Sequence, residues 1–567
     1  MFQHKIKYLI MNSIKYIILL SIINFSLYSQ KTAEEENTLK DWYKKDFEQD
    51  KILGISLNKF HDLKKGKTTK AKKIIVAVLD TQIELNHEDL KPVIWVNKKE
   101  IPNNGIDDDK NGYVDDINGW DFLGTKKGGY MVYENYEYVR IIREQGNKFQ
   151  NVKREDVQSA ELENYDEYQR AFKLYETKDK FYKNWRKSLV FKLGVYGKVK
   201  DTLKYFFPKE NYTYKQLDSL YKKYKTNDKT FRQRRDNNDQ DLGALIDYMR
   251  TSFEVGHTTL EHIQGQKAQL DSVIERNLNI DFKERGEIGD NPNQLEIGYG
   301  NNKIGANIPG IQLINEHSTR VAGIIGACGK NKIGISGFSN DIIIMPLHVS
   351  SSGDEHDKDI ATAIRYAVDN GAKVINMSFG KNFSLHKDWI KEAFKYAESH
   401  NVLLVHAVGN DGINIDESPF YPNDYNYDNQ EEVSGNFINT GSINSKYGEK
   451  MVSPFSNYGK KNVDLFAPGE DIYTTIEESK YDFDSGTSLA APMVSGTAAL
   501  IWSYYPNLTV QQVKQIILES GTKIDFEVNV PTLNKKVSFS ELSKTGRVLN
   551  VFNAMELAEK LSKGKTN

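Results

Sequence analysis

Cysteine is almost absent from this 567-residue chain, where Cys328 stands alone. That excludes an internal disulfide framework and any zinc site assembled from several thiolates. Proline is scarce, with 13 residues, and long apolar runs of membrane-spanning length are missing, so a multi-span membrane protein is excluded. Neither sign of charge dominates: 76 basic and 78 acidic residues leave a formal charge of -2. A global electrostatic attraction to nucleic acid or to anionic membrane is therefore lacking. What is present is core material, 39% hydrophobic residues beside 27% charged ones, which rules out a disordered chain. The length suits roughly three to four domains, or fewer if one is a large α/β unit.

The first residues carry a basic start (Lys5, Lys7, Lys15), an apolar stretch over 17–27 and then polar Tyr28-Ser29-Gln30. That stretch has the length of a signal-peptide core and is short for a bilayer span. Residues 1–30 are expected to be a signal peptide, so the mature chain is expected to be secreted or associated with the cell envelope. No stable membrane span is expected after its removal. Residues 31–73 read as a polar N-terminal extension.

From residue 74 the grammar changes. Ile74-Ile75-Val76-Ala77-Val78-Leu79 is a continuous apolar run, as in a strand buried on both faces. Similar runs recur at Ile342-Ile343-Ile344-Met345, Lys373-Val374-Ile375-Asn376-Met377 and Val402-Leu403-Leu404-Val405. Between them Ile360, Ala363, Ile364, Ala367 and Val368 follow the helical period, and Gly371 is placed to end that helix. Thr509 and Gln512 form a capping-box signature. Strands alternating with helices predict an α/β fold, a doubly wound parallel sheet covered by helices on both faces. Residues 125–285 differ: tyrosine, lysine and acidic residues dominate and glycine is rare. Tyr165, Tyr168, Phe172 and Tyr175, and again Leu242, Leu245, Ile246 and Met249, keep helical spacing. This predicts a large helical insertion between a first (74–124) and a second (286–567) part of the α/β domain. The aromatic stripe is read as the face that packs.

Four segments carry chemistry. In Val78-Leu79-Asp80-Thr81 a buried strand ends in a carboxylate, and in open parallel sheets functional groups collect at such ends. In Glu316-His317-Ser318-Thr319-Arg320-Val321-Ala322-Gly323 a histidine opens a helix of small and β-branched residues. Asp484-Ser485-Gly486-Thr487-Ser488-Leu489-Ala490-Ala491-Pro492-Met493 puts a serine at a loop-to-helix junction. Backbone N–H groups and the positive dipole end there favour developing negative charge. Val405-His406-Ala407-Val408-Gly409-Asn410-Asp411-Gly412 ends a strand in an uncharged amide donor. Each alone is also what an ordinary turn or cap looks like.

Together the four segments resemble the subtilisin-like serine proteases, in the order Asp, His, Ser that distinguishes subtilisin from other hydrolases. The resemblance runs over 73–102 and 305–558. It implies a serine endopeptidase with Ser488 as nucleophile, His317 as general base and Asp80 as its orienting partner. Asn410 and the Ser488 N–H would bind the oxyanion. The run Ser378-Phe379-Gly380 resembles the family's substrate-binding edge, along which an extended protein or peptide substrate would pair through its main chain. Loops bearing Phe379 and Asn410 would flank the pocket for the side chain before the scissile bond, with apolar-tolerant specificity. Three positions depart from the family pattern: Gln82 and Ser318 stand where glycine is usual, and Leu489 where methionine is usual. Active enzyme is expected because all four chemical groups are kept.

No cofactor is needed for that chemistry. A structural calcium ion is the one candidate: Asp107, Asp109 and Asn111 with Gly112 follow a D-x-D-x-N-G loop, and Asp115 lies just beyond. Asn118 holds the place of the bidentate glutamate, so an EF-hand is not expected. The folded pro-domain of many secreted relatives has no evident counterpart between Gln30 and Ile74. The insertion is expected at the rim of the site, as a lid or exosite. Two other classes compete: an exported scaffold that keeps the fold without turnover, and an α/β-hydrolase esterase. The second would need serine before aspartate before histidine and a G-x-S-x-G elbow, which Ser488 lacks.

Overall fold

The computed structural model describes residues 33–65, 71–256, 258–305, 312–426 and 430–564, and the expected signal peptide lies outside them. The described chain divides into a helical unit over Tyr138–Phe282 and a larger unit holding the rest. Residues 125–137 and 283–285, read from sequence as insertion, thus belong to the larger unit.

The larger unit is built on a nine-stranded sheet. Its strands are β1 (Ile74–Asp80), β2 (Trp120–Asp121), β3 (Ile342–His348), β4 (Val374–Met377), β5 (Leu403–Ala407), β6 (Phe437–Ile443), β7 (Leu465–Pro468), β8 (Thr522–Lys523) and β9 (Arg547–Val548). They lie in the order β8-β9-β7-β6-β5-β4-β1-β3-β2. All neighbours are parallel except β8 with β9, which run antiparallel at one edge. β1 sits between β3 and β4, where the winding reverses, and that is where open α/β sheets bind ligands. The alternation along β1 serves two cores: Val76 and Val78 enter one hydrophobic cluster, Ala77 and Leu79 the other, on opposite faces.

Helices cover both faces. Those used below are α1 (Gln312–Gly326), α2 (Asp357–Asp369), α3 (Lys387–Ser399), α4 (Thr487–Tyr504) and α5 (Val510–Ser520). α2 ends as its sequence predicts, with Gly371 at φ +85° just past it. Thr509 and Gln512 form the reciprocal capping box ahead of α5. α1 begins at Gln312, so His317 sits in its second turn and does not open the helix as expected. α4 is buried along almost its whole length, and its Ala490, Ala491, Ser495, Gly496, Ala498 and Ala499 let it pass close beneath the sheet.

The polar N-terminal extension contributes to the core. Trp42, Tyr43, Ile55, Leu57 and Phe60 are buried in the same cluster as β1 and α4. Trp42 Nε1 donates to Asp471 O at 3.0 Å, and the Val551 amide donates to Ile55 O at 2.7 Å. Two adjacent aromatics in a charged stretch give no period, so the sequence hid this docking. Cys328 is buried in that cluster as well.

The helical unit has its own core. A 45-residue helix, Leu162–Phe206, packs through Val195, Val199 and Leu203 with Leu217, Leu245, Ile246 and Met249 of shorter helices. Tyr165 and Tyr168 are buried against Phe149, with ring centroids 5.6 and 5.9 Å away, so this part of the aromatic stripe packs inward.

Candidate active site

Asp80 is the last residue of β1 and is 1% exposed. Its Oδ1 accepts from the Thr81 amide at 2.7 Å and lies 2.7 Å from His317 Nδ1. Its Oδ2 is buried with no hydrogen-bond partner among the described residues. The carboxylate is thus held by one oxygen and aimed at the imidazole, fixing the tautomer with the proton on Nδ1 and leaving Nε2 basic. Burial works against an imidazolium at His317, but the charge of Asp80 and its hydrogen bond outweigh this. Asp484 adds to them and Arg320 opposes, so the His317 pKa lies above its ordinary 6.5.

Ser488 is the second residue of α4, after the N-cap Gly486, so its amide is one of the unclaimed donors of the first turn. The carbonyl of Ser488 would ordinarily accept from the amide of residue 492, but that residue is Pro492. Ser378 Oγ donates to it instead, at 2.8 Å. Asn376 Nδ2 donates to Ser378 Oγ at 2.8 Å, and Ser495 Oγ donates to Asn376 Oδ1 at 2.8 Å. A buried polar chain therefore ties the nucleophile's turn to β4 and back to α4 itself.

Asn410 follows β5 and is exposed. Its Oδ1 accepts from the Thr487 amide at 2.9 Å and from Thr487 Oγ1 at 3.0 Å. With the oxygen so engaged, Nδ2 must point the other way. A methyl placed on Gly486 would lie 2.8 Å from Ser488 Oγ, 3.6 Å from Asn410 Nδ2 and 3.7 Å from Ser488 N. One hydroxyl and two N–H donors therefore surround a single small space. Asn457 staples the loop: Nδ2 donates to Val408 O at 2.8 Å, and Oδ1 accepts from the Asp411 and Ile413 amides at 3.1 and 3.0 Å. Gly409, at φ +97°, supplies the backbone turn this requires.

The Asp80–His317 pair and the Ser488–Asn410 pair lie where α1 packs on α4 and both pack on β1. His317 and Ser488 are each partly exposed, and no hydrogen bond joins them in this resting geometry. Such contacts are long in free enzymes and tighten with substrate. An arrangement of this kind can carry acyl transfer through a serine.

The comparisons agree on ancestry. The model of the subtilase family matches residues 71–539. The chain belongs to the subtilase family. Among curated relatives, a thermophilic serine proteinase of Bacillus sp. (strain AK1) is 36% identical over 212 residues, 37% of this chain and 48% of its own length. Subtilisin DY of Bacillus licheniformis is 32% identical over 212 residues, covering 37% of this chain and 72% of that protein. A cell wall-associated protease of Bacillus subtilis (strain 168) is 33% identical over 241 residues, 42% of this chain and 25% of its own. The chain thus spans about half of the first relative's length and a quarter of the last one's.

The departures of this subtilase have local explanations. Gln82 is 1% exposed and turned inward: Oε1 accepts from the Gly305 amide at 2.6 Å, and Nε2 donates to Asp121 Oδ2 at 2.7 Å. His348, the partner of Asp80 in the β1–β3 register, lies 2.7 Å from the same carboxylate. Gln82 thus occupies a polar niche in the interior. Ser318 is fully buried; its amide donates to Thr81 Oγ1 at 3.1 Å, while its own hydroxyl has no partner among the described residues. Leu489 is buried in the core, a volume-conserving exchange.

Of the expected metal ligands, Asp107 and Asp109 converge with Glu100, each offering an oxygen within 4.8 Å of the others. Asp115 touches Glu100 through its amide, at 3.2 Å, but its carboxylate is outside that group and accepts from the Asn104 and Gly105 amides at 3.2 and 2.9 Å. The Asn111 side-chain oxygen accepts from the Tyr113 amide at 2.8 Å. Glu100 lies outside the loop motif, so the sequence pattern could not reveal it. Three carboxylates supply hard oxygen donors, which fit calcium.

Proposed function

We propose that this subtilase is a secreted serine endopeptidase that hydrolyses peptide bonds in protein or peptide substrates. Ser488 Oγ attacks the carbonyl while His317 Nε2 takes its proton, and Asp80 stabilises the imidazolium so formed. Asn410 Nδ2 and the Ser488 amide receive the oxyanion, whose charge develops in a site with donors already in place. His317 then returns the proton to the leaving amine, and water hydrolyses the acyl-enzyme by the reverse sequence. The observation that carries this reading is the one small space shared by Ser488 Oγ, Ser488 N and Asn410 Nδ2, with Asp80-bound His317 on the neighbouring helix.

Export is supported by the basic-then-apolar pattern of residues 1–30; among the described residues no helix is long and apolar enough to cross a membrane. Glu100, Asp107 and Asp109 are the residues that would hold a structural calcium ion, whose charge would relieve their mutual repulsion. Hydrolysis of an unfolded protein such as denatured casein tests the proposal. Turnover by the wild type and none by Ser488→Ala supports it; equal turnover by both removes Ser488 as the nucleophile, and none by either returns the chain to the class of inactive scaffolds.

A further inference from the structure

Two glycines lie on segments tied to the turn of the reactive serine: Gly380 follows β4 and Ser378, whose Oγ donates to Ser488 O at 2.8 Å, and Gly409 follows β5 and donates its amide to Thr487 Oγ1 at 3.2 Å. In an endopeptidase of this kind the gap between their backbones would receive the side chain that precedes the scissile bond. That gap is filled. A Cβ on Gly380 would lie 2.3 Å from Phe420 Cε1, and a Cβ on Gly409 would lie 2.7 Å from Phe420 Cζ. One edge of one ring therefore touches both backbone walls. Phe420 is only 7% exposed, and the ring of His406 closes in behind it with centroids 5.9 Å apart. His406 is itself fixed, Nε2 lying 2.8 Å from Phe379 O and Nδ1 2.7 Å from Asn439 Oδ1. Burial holds its pKa down to about 4, so the floor of the gap carries no charge at neutral pH.

The ring has no easy way out. The backbone of Tyr421 exchanges two hydrogen bonds with Lys381, both 2.8 Å, which locks the Phe420 segment against the continuation of β4. Asn423 Nδ2 donates to Phe420 O at 3.3 Å. The side chain belongs to a packed cluster with Val408, Ile415 and Tyr458, so swinging it aside would open a cavity.

We propose that Phe420 determines specificity, occupying the pocket for the residue before the scissile bond and restricting it to glycine, alanine or serine. The inference rests on the endopeptidase reading above and replaces the apolar-tolerant specificity expected from the sequence. A pocket whose volume is taken by protein rejects larger side chains by steric cost, and each excluded methylene is worth about 10–200-fold in kcat/KM.

The test uses the full-length enzyme and two peptide p-nitroanilides that differ only in alanine or phenylalanine at that position. The wild type is expected to favour alanine by ~100-fold or more. Phe420→Gly is expected to cut that ratio at least ~10-fold, and Phe420→Ala, which leaves more of the packing, to cut it less. Thermal melts and fluorophosphonate labelling of Ser488 establish that each variant is folded with its nucleophile intact. A wild type that cleaves both substrates equally, or a ratio unchanged in two folded, labelled variants, overturns the role of Phe420 alone. Failure of every form to label or turn over overturns the endopeptidase reading and this inference with it.

Discussion

Replacing Asp80 by Asn probes the pair on which the proposed chemistry turns. The charge pair is close: at 2.7 Å and an effective dielectric constant of ~20, the attraction between carboxylate and imidazolium is about 6 kcal/mol. Solvent at the partly exposed ring reduces that figure. A loss of about 4–5.5 kcal/mol of transition-state stabilisation is therefore expected, a fall of ~10³–10⁴ in kcat. Loss of the corresponding carboxylate in subtilisin costs on the order of 10⁴, a magnitude measured in that enzyme. The amide also fits poorly. If its oxygen faces His317 and the Thr81 amide, its NH₂ takes the place of the buried Oδ2, which has no partner among the described residues, and a donor left unpaired there costs about 1–3 kcal/mol of stability.

The pH dependence has a definite sign. Asp80 raises the His317 pKa above 6.5, so the acidic limb of kcat/KM should lie above that value in the wild type. In Asp80→Asn the charge that outweighs burial is gone, Asp484 and Arg320 act in opposite directions, and the limb should move to lower pH. For stability, a histidine with a raised folded pKa contributes at pH below 6.5, and the contribution disappears as pH rises through the folded value. The stability gap between wild type and variant should therefore be wider at pH 5.5 than at pH 8.5, above a constant offset from the stranded amide. Peptide kinetics and urea melts at several pH values read both effects. A kcat reduced less than ~10-fold, or an acidic limb that stays in place, would refute the reasoning.

Three further outcomes follow from the geometry. Asn410→Ala should lower kcat by ~10²–10³ with little change in KM, because the donor is used only when the oxyanion forms; steady-state kinetics distinguish this from a binding defect. Ser378→Ala strands the Ser488 carbonyl that Pro492 leaves without a helical donor, so denaturant melts should show a loss of about 1–3 kcal/mol, and kcat should fall with it. Chelation by EGTA should lower Tm in the wild type but not in a variant lacking the Glu100, Asp107 and Asp109 carboxylates; an unchanged wild-type Tm dismisses the calcium ion.

Much of this was legible where local pattern and chemistry coincide. The apolar run of β1 announced a strand buried on both faces, and its terminal Asp80 fell at the winding reversal that only the topology later displayed. Ser488 and Asn410 stood out because one puts a polar group in the first turn of a helix and the other puts one just beyond a buried strand. What escaped depends on tertiary neighbours. Nothing near Trp42 or Tyr43 declares their burial in the main core, and nothing near Glu100 declares its meeting with Asp107 and Asp109. Ser378 was read as part of a substrate edge through its main chain; that its hydroxyl also serves the Ser488 carbonyl was hidden, because the demand is created by a proline more than a hundred residues later. Phe420 looked like any aromatic in a loop until the two glycine walls met at its ring.

Treating the intact protein with a fluorophosphonate and mapping the adduct by mass spectrometry tests the central claim most directly. One adduct, on Ser488, formed faster as His317 loses its proton and much slower in Asp80→Asn, is the predicted result. An intact, folded protein that stays unmodified, or that is modified on a different serine, would contradict it.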